Sequence, residues 1–165
     1  MKRSIGQLLL FVLSIAGLAI SAYLVYVHFD SKALVCSNSG YVNCESVLTS
    51  SRAFVPGTRI PIAYMGVVWF VVSGVIAFLA WKIWPQKRGL LITQLAWAIC
   101  GILSVLYLVY LEIVVLNAIC AWCTAVHVII LAMLLLNVIL FTRTDADEEY
   151  ELEEEDTPSL SSAHK

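Results

Sequence analysis

The sequence predicts an all-α, integral membrane four-helix bundle with one long extracytoplasmic loop. Three observations predict it. The 165-residue chain is 61% hydrophobic with a mean hydropathy of +0.88, far above the roughly 45–50% apolar content of soluble domains. Four apolar runs each reach the ~20 residues that a helix needs to cross a hydrocarbon core: Ile5–Val27, Ile62–Trp81, Leu90–Leu116 and Cys120–Phe141. Basic residues gather at alternate ends of these runs, which orients them.

Lys2 and Arg3 precede the first run, Lys82, Lys87 and Arg88 lie between the second and third, and Arg143 follows the fourth. Positive charge near membrane ends stays on the cytoplasmic side, so both termini are expected in the cytoplasm. The loop 29–61 and the tight Asn117–Ile119 connection then lie outside. Lys32, Arg52 and Arg59 also fall outside, but along a long loop where charge orients the chain weakly. A signal peptide has an apolar region of about 7–15 residues followed by a cleavage site. The first run continues past Ala22 to Phe29, so it is expected to be a retained helix.

In the outer loop, Ser37–Gly40 supplies turn chemistry. Glu45–Ser51 is expected as a short helix, and Ala53–Ile60 as a segment lying on the bilayer before Pro61 starts the second membrane helix. Pro85 and Gly89 bracket a short turn, so the second and third membrane helices should pack antiparallel. There is no internal repeat.

The formal net charge of -2 conceals an almost wholly acidic stretch from Asp145 to Asp156. A membrane domain, 1–141, is therefore followed by a tail, 142–165, too poor in apolar residues to offset its ordering entropy and expected to be disordered. No basic patch points to nucleic acid.

The chemistry lies in the cysteines. Cys120 and Cys123 form Cys-Ala-Trp-Cys at the start of the fourth run, and Cys36 and Cys44 sit in the outer loop, so both pairs fall on one side of the membrane. Thiol–disulfide exchange runs through a mixed disulfide. Moving two electrons between proteins and another acceptor thus needs a receiving and a delivering pair within reach. A Cys-X-X-Cys at a helix N-terminus favours the reactive thiolate. Two structural disulfides, or zinc held by four thiolates, are the alternatives. Closed tetrahedral geometry is awkward where one pair opens a membrane helix, and no histidine-rich knuckle accompanies it. No metal site is expected.

Residues three or four apart share a helix face, so Cys120, Cys123 and His127 form one stripe descending into the membrane. An ionisable group there is a functional hypothesis by default, with His127 read either as a donor to an acceptor beside Cys123 or as a histidine bonded to a neighbouring helix. Glu112 is expected to reach water at the outer boundary. Cys100, alone in the third run, is expected to pack as a small hydrophobe.

The order of Cys36, Cys44 and Cys120-Ala-Trp-Cys123, with Val42–Ser50 (VNCESVLTS) and Ile60–Gly66 (IPIAYMG), resembles the vitamin K epoxide reductase family, and its bacterial homologues in particular. The resemblance runs from about Ile5 to Phe141. It implies a four-helix bundle around a quinone, either ubiquinone or menaquinone. It further implies that Cys36 and Cys44 exchange with a thioredoxin-like protein, that Cys44 and Cys120 form the transient bridge, and that Cys123 faces the quinone. Ser50 matches a family serine or threonine six residues after the second loop cysteine and is implied to hold the loop or the quinone side, with His127 beside the quinone. Animal members carry tyrosine at the His127 position, which puts epoxide chemistry in doubt. Many bacterial relatives carry a fused thioredoxin-like domain; here an acidic tail follows, which implies a separate partner.

The expected function is therefore a quinone-dependent thiol–disulfide oxidoreductase of the inner membrane. It would reoxidise a separate thioredoxin-like, extracytoplasmic oxidant and so support disulfide formation in exported proteins. Alternatives are a vitamin K epoxide or quinone reductase whose product is the hydroquinone, and a non-catalytic membrane scaffold stiffened by structural disulfides. Another quinone-linked disulfide enzyme also uses four helices and two cysteine pairs, but with the pairs in reverse order, which marks convergence.

Overall fold

The structure, a computed structural model, describes residues 3–30, 34–36, 40–50, 52–55, 57–83 and 88–156, with side chains described from 4 to 144 within those ranges. In chain order the helices are α1 (Arg3–Phe29), α2 (Cys44–Leu48), α3 (Ile62–Lys82), α4 (Arg88–Tyr110) and α5 (Ala121–Asp156), with a π-helical turn at Leu111–Val115 continuing α4. Among the described residues no strand forms; the extended pairings are isolated bridges, Val42 with Ile119 and Phe54 with Pro61.

Four segments are long and apolar enough to cross a membrane: Ser4–Phe29, Ile62–Lys82, Arg88–Val115 and Ala121–Thr144. Large apolar side chains cover their outer faces, as with Ile15, Val68, Leu103 and Leu135. In water such a coat would be untenable; in lipid it is the required surface, because the backbone polar groups are satisfied inside each helix. The chain is a multi-pass membrane protein.

The order of contacts makes the bundle a closed ring, α1 against α3, α3 against α4, α4 against α5 and α5 back against α1. Direction follows from the register. Gly17 meets Phe70, Ser14 meets Gly74 and Ser21 meets Gly66, so α1 and α3 run antiparallel. Gly101 lies against Trp69, and Trp97 Nε1 donates to Ser73 Oγ at 3.1 Å, which sets α4 antiparallel to α3. Gln7 and Gln94, each near the start of its helix, exchange amide hydrogen bonds of 3.1 and 2.9 Å, so α1 and α4 point the same way. Buried amides in a membrane interior must be paired, and this exchange fixes the diagonal of the bundle.

One end of the bundle is basic. Trp81 Nε1 donates to Ser4 Oγ at 3.2 Å, Gly6 faces Leu140, and Lys82 lies 4.4 Å over the Trp81 ring. The ends marked by Lys82, Arg88 and Arg143 therefore meet there, while the loop and all four motif cysteines occupy the opposite end.

The outer loop differs from expectation in detail. The short helix begins at Cys44 and ends at Leu48. Residues 53–62 fold back on themselves through Val55 N to Ile60 O and Ile62 N to Ala53 O bonds of 2.9 and 2.8 Å. Gly57, at φ 80°, supplies the left-handed residue this reversal needs, so the segment is a tight fold-back. The disordered tail expected from residue 142 is also corrected: α5 continues as helix to Asp156. Propagating an existing helix is far less costly than nucleating one, and the Glu, Leu and Ala residues that follow are good helix formers. The expected turns at residues 37–39 and 84–87, and the tail beyond Asp156, lie outside the described residues.

The α1–α3 seam depends on small residues that let backbones approach closely. A Cβ at Gly17 would overlap the Phe70 ring, which is itself fully buried. Gly17→Val should lower stability by about 1–3 kcal/mol through overpacking. Gly89→Ala, whose new Cβ meets nothing within 4 Å, should be neutral or stabilising by less than about 1 kcal/mol. Thermal unfolding of the two purified variants in detergent checks the contrast.

Candidate functional site

The outer loop is fastened to the bundle beside the cysteines. Asn43 caps α2, its Oδ1 accepting from Ser46 N at 3.0 Å. On its other side the Asn43 amide donates to Ile119 O at 3.1 Å, and the Ile119 amide donates to Tyr41 O at 2.8 Å. These two bonds form a parallel bridge between the residue run ending at Cys44 and the run ending at Cys120. Asn117, at φ 49°, makes the reversal that precedes it; asparagine tolerates this conformation better than most residues.

The consequence is a common burial site. Cys44 and Cys120 are both 0% exposed and belong to one cluster with Leu24, Val27 and Leu48, against which Cys36 and Cys123 pack as partly buried neighbours. The two expected pairs are thus brought together. Cys36 and Cys44 are joined as a disulfide with their Cα atoms 6.2 Å apart, whereas Cys120 and Cys123 are free thiols. Cys100 is exposed on α4, outside this cluster, contrary to the expected packing role.

The segment next to Cys36 is held at both backbone groups of Val35. Its amide donates to Tyr23 Oη at 2.9 Å and its carbonyl accepts from Trp122 Nε1 at 2.8 Å, while the Tyr23 and Trp122 rings pack 5.0 Å apart. The tryptophan of the Cys-Ala-Trp-Cys motif therefore ties the Cys120 and Cys123 segment to the loop. His28 Nδ1 donates to Leu48 O at 3.0 Å and its ring packs edge-on to Phe54, joining the end of α1 to the end of α2. Ser50 Oγ donates to Val47 O at 2.9 Å and so closes the last turn of α2.

Cys120 occupies the N-cap of α5, just before the membrane segment that opens at Ala121. Its Sγ accepts from the Cys123 amide at 3.2 Å, a sulfur version of the usual oxygen cap. Hydrogen bonding from the Cys123 side chain and amide holds the Cys120 thiol below its ordinary range, against the opposing effects of burial and the nearby Glu112 charge. The Cys120 amide donates to Glu112 Oε2 at 3.3 Å, and Glu112 is 6% exposed. It does not reach water as expected, because the π-helical turn rotates it inward over the start of α5. His127 is buried one helical turn beyond Cys123, and no described residue takes a hydrogen bond from its ring.

Tyr23, His28, Trp122 and the inward turn of Glu112 were not read as parts of the site from sequence. Glu112 carried a usable signal, an acid within an apolar run. The others are aromatic residues near membrane ends, where an interfacial role is the ordinary reading.

Fold and site together define a class: a four-helix membrane protein that buries a loop disulfide against a helix-capping dithiol. The chain belongs to the vitamin K epoxide reductase family, whose sequence profile matches residues 8–138. Family membership makes it a membrane thiol–disulfide oxidoreductase. A search of curated proteins found no match.

Trp122→Phe keeps an aromatic ring for Tyr23 but deletes the bond to Val35. A hydrogen bond of this kind contributes about 1 kcal/mol net, so the variant should open the loop more readily. Reduction of the Cys36–Cys44 disulfide by a small dithiol, followed by mass spectrometry, should run roughly fivefold faster.

Proposed function

We propose that the protein passes electrons from the thiols of a separate extracytoplasmic, thioredoxin-like oxidant to a membrane quinone, and so sustains disulfide formation in exported proteins. The observation that carries this reading is the burial of Cys44 and Cys120 in one cluster, with Cys36 and Cys123 as their flanking partners. That arrangement allows three exchanges in series. The partner dithiol reduces Cys36–Cys44. The Cys44 thiolate attacks an oxidised Cys120–Cys123 pair at Cys120, and the Cys123 thiolate departs. Cys36 then attacks Cys44 of the mixed disulfide, which restores Cys36–Cys44 and leaves a reduced Cys120–Cys123 pair.

The residues near Cys123 fit a quinone. Cys123 is partly exposed where Cys120 is closed off, and below it lie Val126 and the His127 ring, an apolar wall with one donor suited to a carbonyl oxygen. Cys123 and His127 would hold the head group, and Ser50 would act at one remove by fixing α2. A bound quinone supplies a two-electron, two-proton acceptor that diffuses within the bilayer. The basic end of the bundle would face the cytoplasm under the positive-inside rule. The cysteines then face the compartment in which disulfides persist. The outer loop would present Cys36 to the partner, since Cys36 is the more accessible member of its pair.

Purified protein, a reduced thioredoxin-like oxidant and a quinone should give quinone reduction in wild type and no turnover in Cys123→Ala. Equal rates in both, or no rate with several quinones and partners, would favour a scaffold. In Cys36→Ala/Cys123→Ala, oxidation should trap a Cys44–Cys120 disulfide as the main linked peptide under non-reducing conditions. Absence of that peptide would break the relay at its central step.

A further inference from the structure

We infer that Glu112 is the proton-holding residue for Cys120, an inference that rests on the relay proposed above. Three observations carry it: Glu112 is buried, it is bonded through Oε2 to the Cys120 amide at 3.3 Å, and it is turned toward α5 by the π-helical turn. Such turns recur at functional sites because they re-aim a side chain without ending the helix. Here the re-aimed group is a carboxyl inside an apolar bundle, where an acid without a task is costly. The other titratable or charged side chains at this end, among the described residues, are Cys123 and His127 on α5, Tyr23, Tyr26 and His28 on α1, Tyr64 on α3, Tyr107 and Tyr110 on α4, and Asp30, Tyr41, Glu45, Arg52 and Arg59 in the loop region. Among these groups and the two inner sulfurs, it is Cys120 whose backbone Glu112 touches.

The chemistry requires a proton at that place. When Cys36 attacks Cys44 of the mixed disulfide, a Cys36–Cys44 bond forms and the Cys44–Cys120 bond breaks. The bonding electron pair leaves on Cys120 Sγ, which emerges as a fully buried thiolate. A carboxylate beside it would place two like charges in low dielectric, which is strongly disfavoured. Glu112 therefore enters the step as the acid and gives its proton to the Cys120 sulfur. The proton that Cys36 lost in becoming a thiolate balances the one that Glu112 regains from solution. Carboxyl and thiol share one proton and titrate as a pair.

Glu112→Gln tests this, because the amide oxygen can still accept from Cys120 N while the acid is gone. In the reduced full-length protein, the carbon-13 chemical shift of the Cys120 Cβ, which reports ionisation of the buried thiol without any reagent reaching it, should show two ionisations across pH in wild type and one in the variant. Turnover should fall on the order of 10²-fold, the usual contribution of a positioned acid or base. A superimposable titration profile with turnover within about twofold would overturn the inference while leaving the relay intact. An altered profile with no quinone turnover in wild type would do the reverse, sinking the relay and keeping the shared proton. If the variant does not fold, the infrared difference spectrum between oxidised and reduced wild type decides. A carboxylic acid band that changes with cysteine redox state supports the inference, and its absence overturns it.

Discussion

Two backbone hydrogen bonds hold the redox centre together: Asn43 N to Ile119 O and Ile119 N to Tyr41 O. They join a loop to a helix connection that is distant in sequence, and each bonded segment runs directly into a motif cysteine. Without them Cys44 would belong to a polar loop free to leave the bundle, and Cys120 to a helix cap facing lipid headgroups. With them the sulfurs share a site from which water is excluded. Neighbouring contacts extend this constraint in both directions. Tyr23 and Trp122 clamp the backbone before Cys36, and His28 anchors the helix that begins with Cys44.

The bundle beneath supplies rigidity by a different means. Lipid gives helices no hydrophobic reason to associate, so the α1–α3 contact is made by close approach at Gly17, Gly66 and Gly74, and the diagonal by the Gln7–Gln94 exchange. These features run from the basic end, at Gln7 and Gln94, through the middle of the bundle at Gly17 and Gly74, to Gly66 near the cysteine end. They hold α1 against α3 and α4, and so keep Tyr23 of α1 in place to meet Trp122 of α5. A loop clamp of these five hydrogen bonds can position sulfur only if the helices carrying its anchors do not slide.

Much of this was legible in the sequence, and the reasons are physical. Membrane helices announce themselves by length and hydropathy, and the observed spans differ from the expected ones by a few residues at their ends. Cysteines at the mouth of an apolar run have few roles, so the four sulfurs were identifiable before their neighbours. The inward turn of Glu112 was not legible, because a π-helical turn inserts a residue without any compositional mark; a continuous α-helix was the natural expectation for Leu90–Leu116. The helical extension to Asp156 was missed for a related reason. Composition describes whether a segment folds alone, whereas this one continues a helix that the membrane has already nucleated.

In the relay proposed above, the asymmetry within each cysteine pair would give the centre its direction. Cys44 and Cys120 are sealed from solvent, while Cys36 and Cys123 are the partly exposed members. A sealed sulfur can be attacked by the other sealed sulfur but is shielded from thiols outside, so in that relay electrons from solution would come in through Cys36. Those leaving must go out through Cys123, which α5 carries one turn deeper than the cap. Burial thereby orders the exchanges that reactivity alone would leave unordered. The same burial makes charge management unavoidable, because each exchange releases a thiolate inside the seal. A centre built this way needs a neutralising group at the inner sulfur, and the fold places its one buried acid among the described residues there.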